Sequence, residues 1–170
     1  MKKTNRKLIG IDIFAGAGGL SLGAELSGIS MRFAVECDQH AASSYRRNFK
    51  KATVYCEDIR KLSTEPMKSE PVFIIMGGPP CQGFSMAGKR DVLDVRNSLF
   101  KEVMRVVKVI QPKVVVIENV VGLLSMTTPE GEEVKDEIEK DLRELGYFVN
   151  HKVLTASEYG VPQNRKRVIF

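Results

Sequence analysis

The sequence predicts an α/β fold, and three observations carry that prediction. Short apolar runs of strand type alternate with amphipathic helical patterns from one end of the chain to the other. The first of these runs ends in a glycine-rich turn that opens directly into a helix. No repeat, low-complexity segment or long linker interrupts the alternation, and 170 residues suit one domain with a substantial core. Residues 1–170 are therefore expected to form a single domain.

Lys7 to Ile13 reads as a buried strand, followed by the turn Ala15-Gly16-Ala17-Gly18-Gly19 and a helix from about Leu20 to Ser27 that Gly28 stops. Arg32 to Glu36 is expected as the second strand. Asp38 can cap the helix after it, whose apolar side carries Ala41, Tyr45 and Phe49. Thr53 to Cys56 and Val72 to Met76 follow as strands, the latter ended by Gly77-Gly78-Pro79-Pro80, which cannot continue simply into a helix. From Ser98 a helix presents Leu99, Val103, Val106, Val107 and Ile110 on one face before Pro112 stops it. Val114 to Ile117 is a central strand, and Val134, Ile138, Leu142 and Leu145 mark a further amphipathic helix closed by Gly146. Tyr147 to Leu154 and Arg167 to Phe170 complete the pattern as strands, the last of them expected to be exposed.

Composition narrows the function classes. Hydrophobic residues at 43% and charged residues at 28% are those of a globular domain, and they exclude disordered, collagen-like and disulfide-scaffold readings. The apolar runs fall far short of the roughly 20 residues that cross a bilayer, and Asp12 interrupts the only run that follows the basic N-terminus. A cytoplasmic protein with no membrane partner is expected. The net charge of +5 favours a polyanionic partner without identifying it. Cys37, Cys56 and Cys81 show no CxxC spacing, so neither a disulfide framework nor a metal site is expected; Cys37 and Cys56 read as small buried residues.

Several residues stand where chemistry is possible. The glycine turn lets a backbone approach a ligand closely and offers a helix N-terminus, and Glu36 ends the next strand about 20 residues on, where an acidic side chain can hold ribose hydroxyls. An ordinary tight turn with a solvated strand-end Glu36 is the alternative. Asp58 either accepts from an adenine amino group or caps a surface turn. Cys81 follows a strand end at the ligand-binding edge of an open sheet, where a thiolate would be a nucleophile. Glu118 stands at the end of the neighbouring strand. Gln163, Arg165 and Arg167 alternate, so they either share one face of a functional strand or make a basic surface strand.

Taken together, Asp12-Ile-Phe-Ala-Gly-Ala-Gly-Gly-Leu20, Gly77-Gly-Pro-Pro-Cys-Gln-Gly-Phe-Ser85, Glu118-Asn-Val120 and Gln163-Asn-Arg-Lys-Arg167, in this order and spacing, closely resemble the cytosine-C5 DNA methyltransferase family. The match covers almost the whole chain. The resemblance implies a Rossmann-like, S-adenosylmethionine-dependent methyltransferase sheet, mostly parallel with an antiparallel final strand and helices on both faces. It implies S-adenosylmethionine as cofactor, S-adenosylhomocysteine as product, and no metal. Phe14, Ala15, Gly16, Gly18, Gly19 and Leu20 would shape the cofactor pocket, Glu36 would hold the ribose, and Asp58 with Ile59 the adenine. Pro79 and Leu99 would line the pocket too, and Cys37 stands where relatives usually have an aromatic or aliphatic residue.

The same resemblance implies catalysis by Cys81, which would add to C6 of a flipped-out cytosine, Glu118, which would hydrogen-bond the base at its N3 edge, and Arg165, which would stabilise the adduct. Gln82, Ser85, Lys89, Arg90, Arg96, Gln163, Arg165 and Arg167 are expected to contact double-stranded DNA, with residues 82–97 closing over it. Relatives usually continue into a target-recognition region, so the chain is expected to be a truncated catalytic portion or one piece of a two-chain enzyme. RNA, in particular tRNA, as the methyl acceptor, a non-catalytic subunit, and a nicotinamide-binding module are the alternatives.

Overall fold

A computed structural model of the chain describes residues 7–80, 98–128 and 131–170. The elements in order are β1 (Leu8–Ile13), α1 (Gly19–Leu26), β2 (Ile29–Val35), α2 (Gln39–Asn48), β3 (Thr53–Tyr55), β4 (Ile74–Gly77), α3 (Ser98–Ile110), β5 (Val114–Val120), α4 (Val134–Glu144), β6 (Lys152–Thr155) and β7 (Lys166–Ile169), with short 3₁₀ turns between them. The seven strands follow the order β3-β2-β1-β4-β5-β7-β6. Two compact units divide the chain: Met1–Gly77 with Val109–Val116, and Gly78–Lys108 with Ile117–Phe170.

In the first unit β1 pairs in parallel with β2 and with β4, and β2 in parallel with β3. The register between β1 and β2 shifts at Gly10/Ile11, where Arg32 is the extra residue of a bulge. A bulge reverses the alternation beyond it, so Met31 and Ala34 both contribute to the layer beneath the helices. Met31 packs with Ala24 of α1 and with Ile74 and Met76, and Ala34 packs with Ala15, with Tyr45 of α2 and with Phe49, the residue that caps the C-terminus of that helix. Burying a side chain of the size of Met31, Ile74 or Phe49 contributes about 1.5–3 kcal/mol. Asp38 caps α2 as expected, accepting from the Ala41 amide at 2.7 Å, and Gly28 follows the end of α1 at φ 85°.

In the second unit β7 runs antiparallel to both β5 and β6. The one antiparallel strand is the last, as expected, but it is not the exposed one. β7 lies between β5 and β6 and buries Val168, while β6 forms the sheet edge with Lys152 and Val153 exposed. Inserting β7 satisfies its backbone groups on both sides, which a terminal edge position would not. α4 buries Val134, Ile138 and Leu142 and lies against the 3₁₀ turn Val121–Ser125. β5 extends to Val120, past the expected Ile117, so Glu118 and Asn119 are strand residues with antiparallel partners Ile169 and Val168. Among the described residues no helix is long and apolar enough to cross a membrane.

Candidate functional site

The first unit holds the glycine turn. β1 ends at Ile13, and Phe14, a bulky residue, takes φ 58°, in the left-handed region that non-glycine residues seldom enter. Gly16 follows at φ 55° and Gly18 at φ 98°. A Cβ on Gly16 or Gly19 would meet nothing within 4 Å, so the backbone there borders open space, whereas a Cβ on Gly18 would lie 2.1 Å from Phe49 Cε2. Glu36, just past β2, accepts from the Gly16 amide through Oε2 and from the Asp38 amide through Oε1, both at 2.8 Å. Each carboxylate oxygen keeps a further lone pair for a ligand hydroxyl. Ala15 is buried and Leu20 half-buried.

Beneath the turn lies a buried polar chain. Asp12 on β1 accepts from Ser21 Oγ on α1 at 2.5 Å, and Ser21 Oγ lies 2.6 Å from the Tyr45 hydroxyl on α2. Since the Ser21 proton goes to Asp12, the Tyr45 hydroxyl is the donor to Ser21. Asp12 Oδ1 is buried without a partner among the described residues. Burial pushes the Asp12 carboxyl up to about 6, against the hydrogen bonds from Ser21 and with the charge of Glu36 adding to the rise; burial also raises the Tyr45 hydroxyl. Ser21 and its bond to Tyr45 were not foreseen, because the periodicity of α2 marks Tyr45 as apolar and carries no signal for its hydroxyl.

On the side expected to meet an adenine, Ile59 is buried and Asp58 caps the 3₁₀ turn Ile59–Lys61. The Asp58 carboxylate accepts from the Arg60 amide at 2.9 Å and from its guanidinium, and these bonds hold it down to about 2. A ligand amino group there must share the carboxylate with Arg60. The two cysteines depart from expectation: Cys37 is exposed and Cys56 half-buried. Cys37 follows the strand end rather than lying within it, so no sheet layer covers it. Desolvation of its thiol, ahead of the charges of Glu36 and Asp58, still raises its pKa.

The second unit brings together the Gly78-Pro79 segment, β5 and β7. Glu118 Oε1 accepts from Arg167 Nε at 2.9 Å, and an Arg165 guanidinium nitrogen stands 3.9 Å away. Arg167, placed by sequence with the DNA contacts, thus approaches Glu118 more closely than Arg165. A Cβ on Gly78 would lie 3.1 Å from Glu118 Oε2, so glycine leaves the carboxylate its room. The next residue, buried Asn119, donates to the Pro79 carbonyl at 3.0 Å. Pro79 is buried and Leu99 half-buried. Gln163 is exposed, and of the alternating set it is Arg165 and Arg167 that approach Glu118. Cys81, Gln82, Ser85, Lys89, Arg90 and Arg96 lie outside the described residues.

Comparisons with known proteins identify the family. The model of the C-5 cytosine-specific DNA methylase family matches residues 8–170. The type II methyltransferase M.DdeI of Desulfomicrobium norvegicum is 45% identical over 162 residues, 94% of this chain and 39% of that protein. M1.HphI of Haemophilus parahaemolyticus is 44% identical over 167 residues, covering 94% and 44%. The solved structure of a candidate DNA modification methyltransferase encoded within an E. coli prophage superposes with a TM-score of 0.81 at 34% identity, over 96% of this chain and 46% of that one. The chain spans about two fifths of the length of these curated relatives. With the family model covering the strand–turn–helix, the Glu118 strand and the arginine segment alike, the chain belongs to the C-5 cytosine-specific DNA methylase family.

Proposed function

We propose that this chain is the cofactor-binding and catalytic portion of an enzyme that methylates C5 of cytosine in double-stranded DNA in the cytoplasm. The observation that carries the reading is the setting of Glu118. One of its oxygens is taken by Arg167, and the other lies beside Gly78, in the segment that runs through Pro79 and Pro80 into Cys81. A carboxyl group that must hold a base next to a nucleophile needs such a setting.

The first unit fits S-adenosylmethionine. Open space at Gly16 and Gly19 admits a ligand to the backbone, and Glu36 is already fixed by two amides yet retains lone pairs for ribose hydroxyls. Phe14, Ala15, Gly18, Leu20, Cys37, Asp58 and Ile59 complete the proposed set there; Pro79 and Leu99, also expected from the sequence, belong to the second unit. Bound S-adenosylmethionine supplies an electrophilic methyl group on a sulfonium sulfur.

The chain's own residues act on the pyrimidine. Cytosine C5 is a poor nucleophile until something adds to C6. The Cys81 thiolate makes that addition, forming a C6–S bond and moving the C5–C6 electron pair toward C5. Glu118 holds the N3 edge, and Arg165 and Arg167 offset the charge that develops on the ring. Once C5 carries its methyl group, loss of the C5 proton and breaking of the C6–S bond return Cys81 and leave 5-methylcytosine. The base must first be turned out of the duplex, at a cost of a few kcal/mol. Sequence reading in the major groove is assigned to polypeptide beyond the matched span, in the same chain or a second one.

The test is transfer of labelled methyl from S-adenosylmethionine to DNA by the complete enzyme. Label at cytosine C5 that is lost in Cys81→Ser supports the proposal. Label on tRNA but not DNA would move the substrate to RNA, and undiminished activity of Cys81→Ser would leave the chain a non-catalytic subunit.

A further inference from the structure

Helix α2 carries Tyr45 and Asn48 at i and i+3, on one face, and is followed by its C-cap residue Phe49; each of the three meets a different part of the strand–turn–helix unit. The Tyr45 hydroxyl reaches Ser21 Oγ at 2.6 Å, Asn48 Nδ2 donates to the Ala17 carbonyl at 3.1 Å, and Phe49 fills the space where a Cβ of Gly18 would be. At the other end of the helix, Glu36 links the Gly16 amide to the amide of Asp38, the N-cap residue of α2. The turn is therefore tied to α2 from both ends of that helix, by side chains distant in sequence.

Such ties have a consequence for binding. Phe14 in the left-handed region persists only where its surroundings over-determine the backbone. A turn left to itself would divide among conformers, and a ligand that fits one of them loses affinity by the fraction in which that one is populated. We propose that α2 is the brace that pre-shapes the glycine turn for the cofactor, so that Asn48 and Tyr45 are positioning residues for a ligand they do not touch. The inference rests on the reading of the turn as the S-adenosylmethionine site. It adds to that reading a helix that holds the turn through contacts within the chain itself.

The experiment compares the wild-type chain with Asn48→Asp, which keeps the size and loses the donor, Asn48→Gln, which keeps the donor, and Tyr45→Phe. Amide hydrogen exchange at residues 15–19 is measured without ligand, and affinities for S-adenosylmethionine and S-adenosylhomocysteine by calorimetry. In Asn48→Asp, exchange in the turn is expected to quicken about tenfold and both affinities to fall by a similar factor, the scale of one net hydrogen bond. Tyr45→Phe acts in the same direction, and Asn48→Gln recovers most of the loss. Unchanged exchange and affinity in Asn48→Asp would overturn the proposal, as would a lowered melting temperature with no local change in the turn. If the wild-type chain binds neither ligand, the cofactor reading fails. The exchange data then decide the brace alone: quickening in Asn48→Asp upholds it and no change overturns it.

Discussion

The polar chain beneath the glycine turn of the first unit is enclosed, and the charged group around Glu118 in the second stands half open. Asp12 and Ser21 are almost wholly buried and bonded within the helical layer, together with the hydroxyl of Tyr45. Glu118, Arg165 and Arg167 keep 25%, 50% and 26% of their side-chain surface in solvent. The difference teaches that the two parts are built by different forces. The glycine turn is shaped by packing and buried hydrogen bonds, which cost much to disturb and little to salt. The Glu118 group is arranged by charge at the end of a strand, where water competes.

The largest expected effect falls in the second unit and on rate alone. Glu118→Gln preserves size and should leave the first unit's affinity for S-adenosylmethionine unchanged while lowering kcat by roughly 10²–10⁴ in the complete enzyme, the range of acid–base groups. Methyl transfer to DNA in single-turnover experiments measures it. Retained activity would break the assignment of chemistry to this unit.

Two glycines sharpen the contrast. Gly18→Ala combines φ 98° with a Cβ only 2.1 Å from Phe49, whose ring packs on Tyr45 at 4.5 Å between centroids. Strain and overpacking together should cost about 2–4 kcal/mol, read as a lowered urea midpoint with cofactor affinity lost alongside. Gly78→Ala has no positive φ to oppose, and its Cβ meets a carboxylate at 3.1 Å, the end of a movable side chain. It should leave stability within about 1 kcal/mol and lower kcat roughly tenfold by displacing Glu118. Equal destabilisation by the two would erase the distinction between a packed and a charge-arranged site.

Burial of Asp12 makes stability depend on pH with a definite sign. Its carboxyl titrates near 6 in the fold against 3.8 for the ordinary group, so the unfolded chain releases its proton first. Below about pH 4 both states are protonated and nothing is lost. Between about 4 and 6 stability falls, and above 6 the full loss of about 3 kcal/mol is present. The stability difference between wild type and Asp12→Asn, from urea curves at several pH values, should therefore shift against wild type across that window. A difference independent of pH would mean that Asp12 does not ionise from a buried site.

How much of this could be read from residues alone follows the same division. The turn, Glu36 and the strand bearing Glu118 were legible because each is marked by local chemistry: glycines after an apolar run, or a carboxylate at a strand end. The Tyr45–Ser21–Asp12 chain was not, because three elements must pack before its hydroxyls meet and a helical period registers Tyr45 only as apolar. The preference of Glu118 for Arg167 was hidden for a related reason. Alternation treats Gln163, Arg165 and Arg167 alike, and only the pairing of Val120 with Arg167 fixes which guanidinium lies nearest. The exposed setting of Cys37 was not legible either, because it depends on what packs over the residues between β2 and α2.

The two arginines also set the smallest effect. Arg167 lies 2.9 Å from Glu118 Oε1 and is half-buried, while Arg165 stands at 3.9 Å with half its side chain in water. Double-mutant cycles of Glu118→Gln with Arg167→Gln and with Arg165→Gln, followed by urea unfolding, should give a coupling of about 0.5–1 kcal/mol for the first and near zero for the second. Both should shrink as ionic strength rises, because the charges are open to solvent, whereas the coupling between Ser21→Ala and Tyr45→Phe should not. Salt-independent coupling at Glu118 would place its carboxylate in an enclosed network of the first unit's kind. In the proposed mechanism, the ring charge that develops on addition of Cys81 to C6 would then be balanced by groups fixed in the fold rather than by arginines sharing their surface with water.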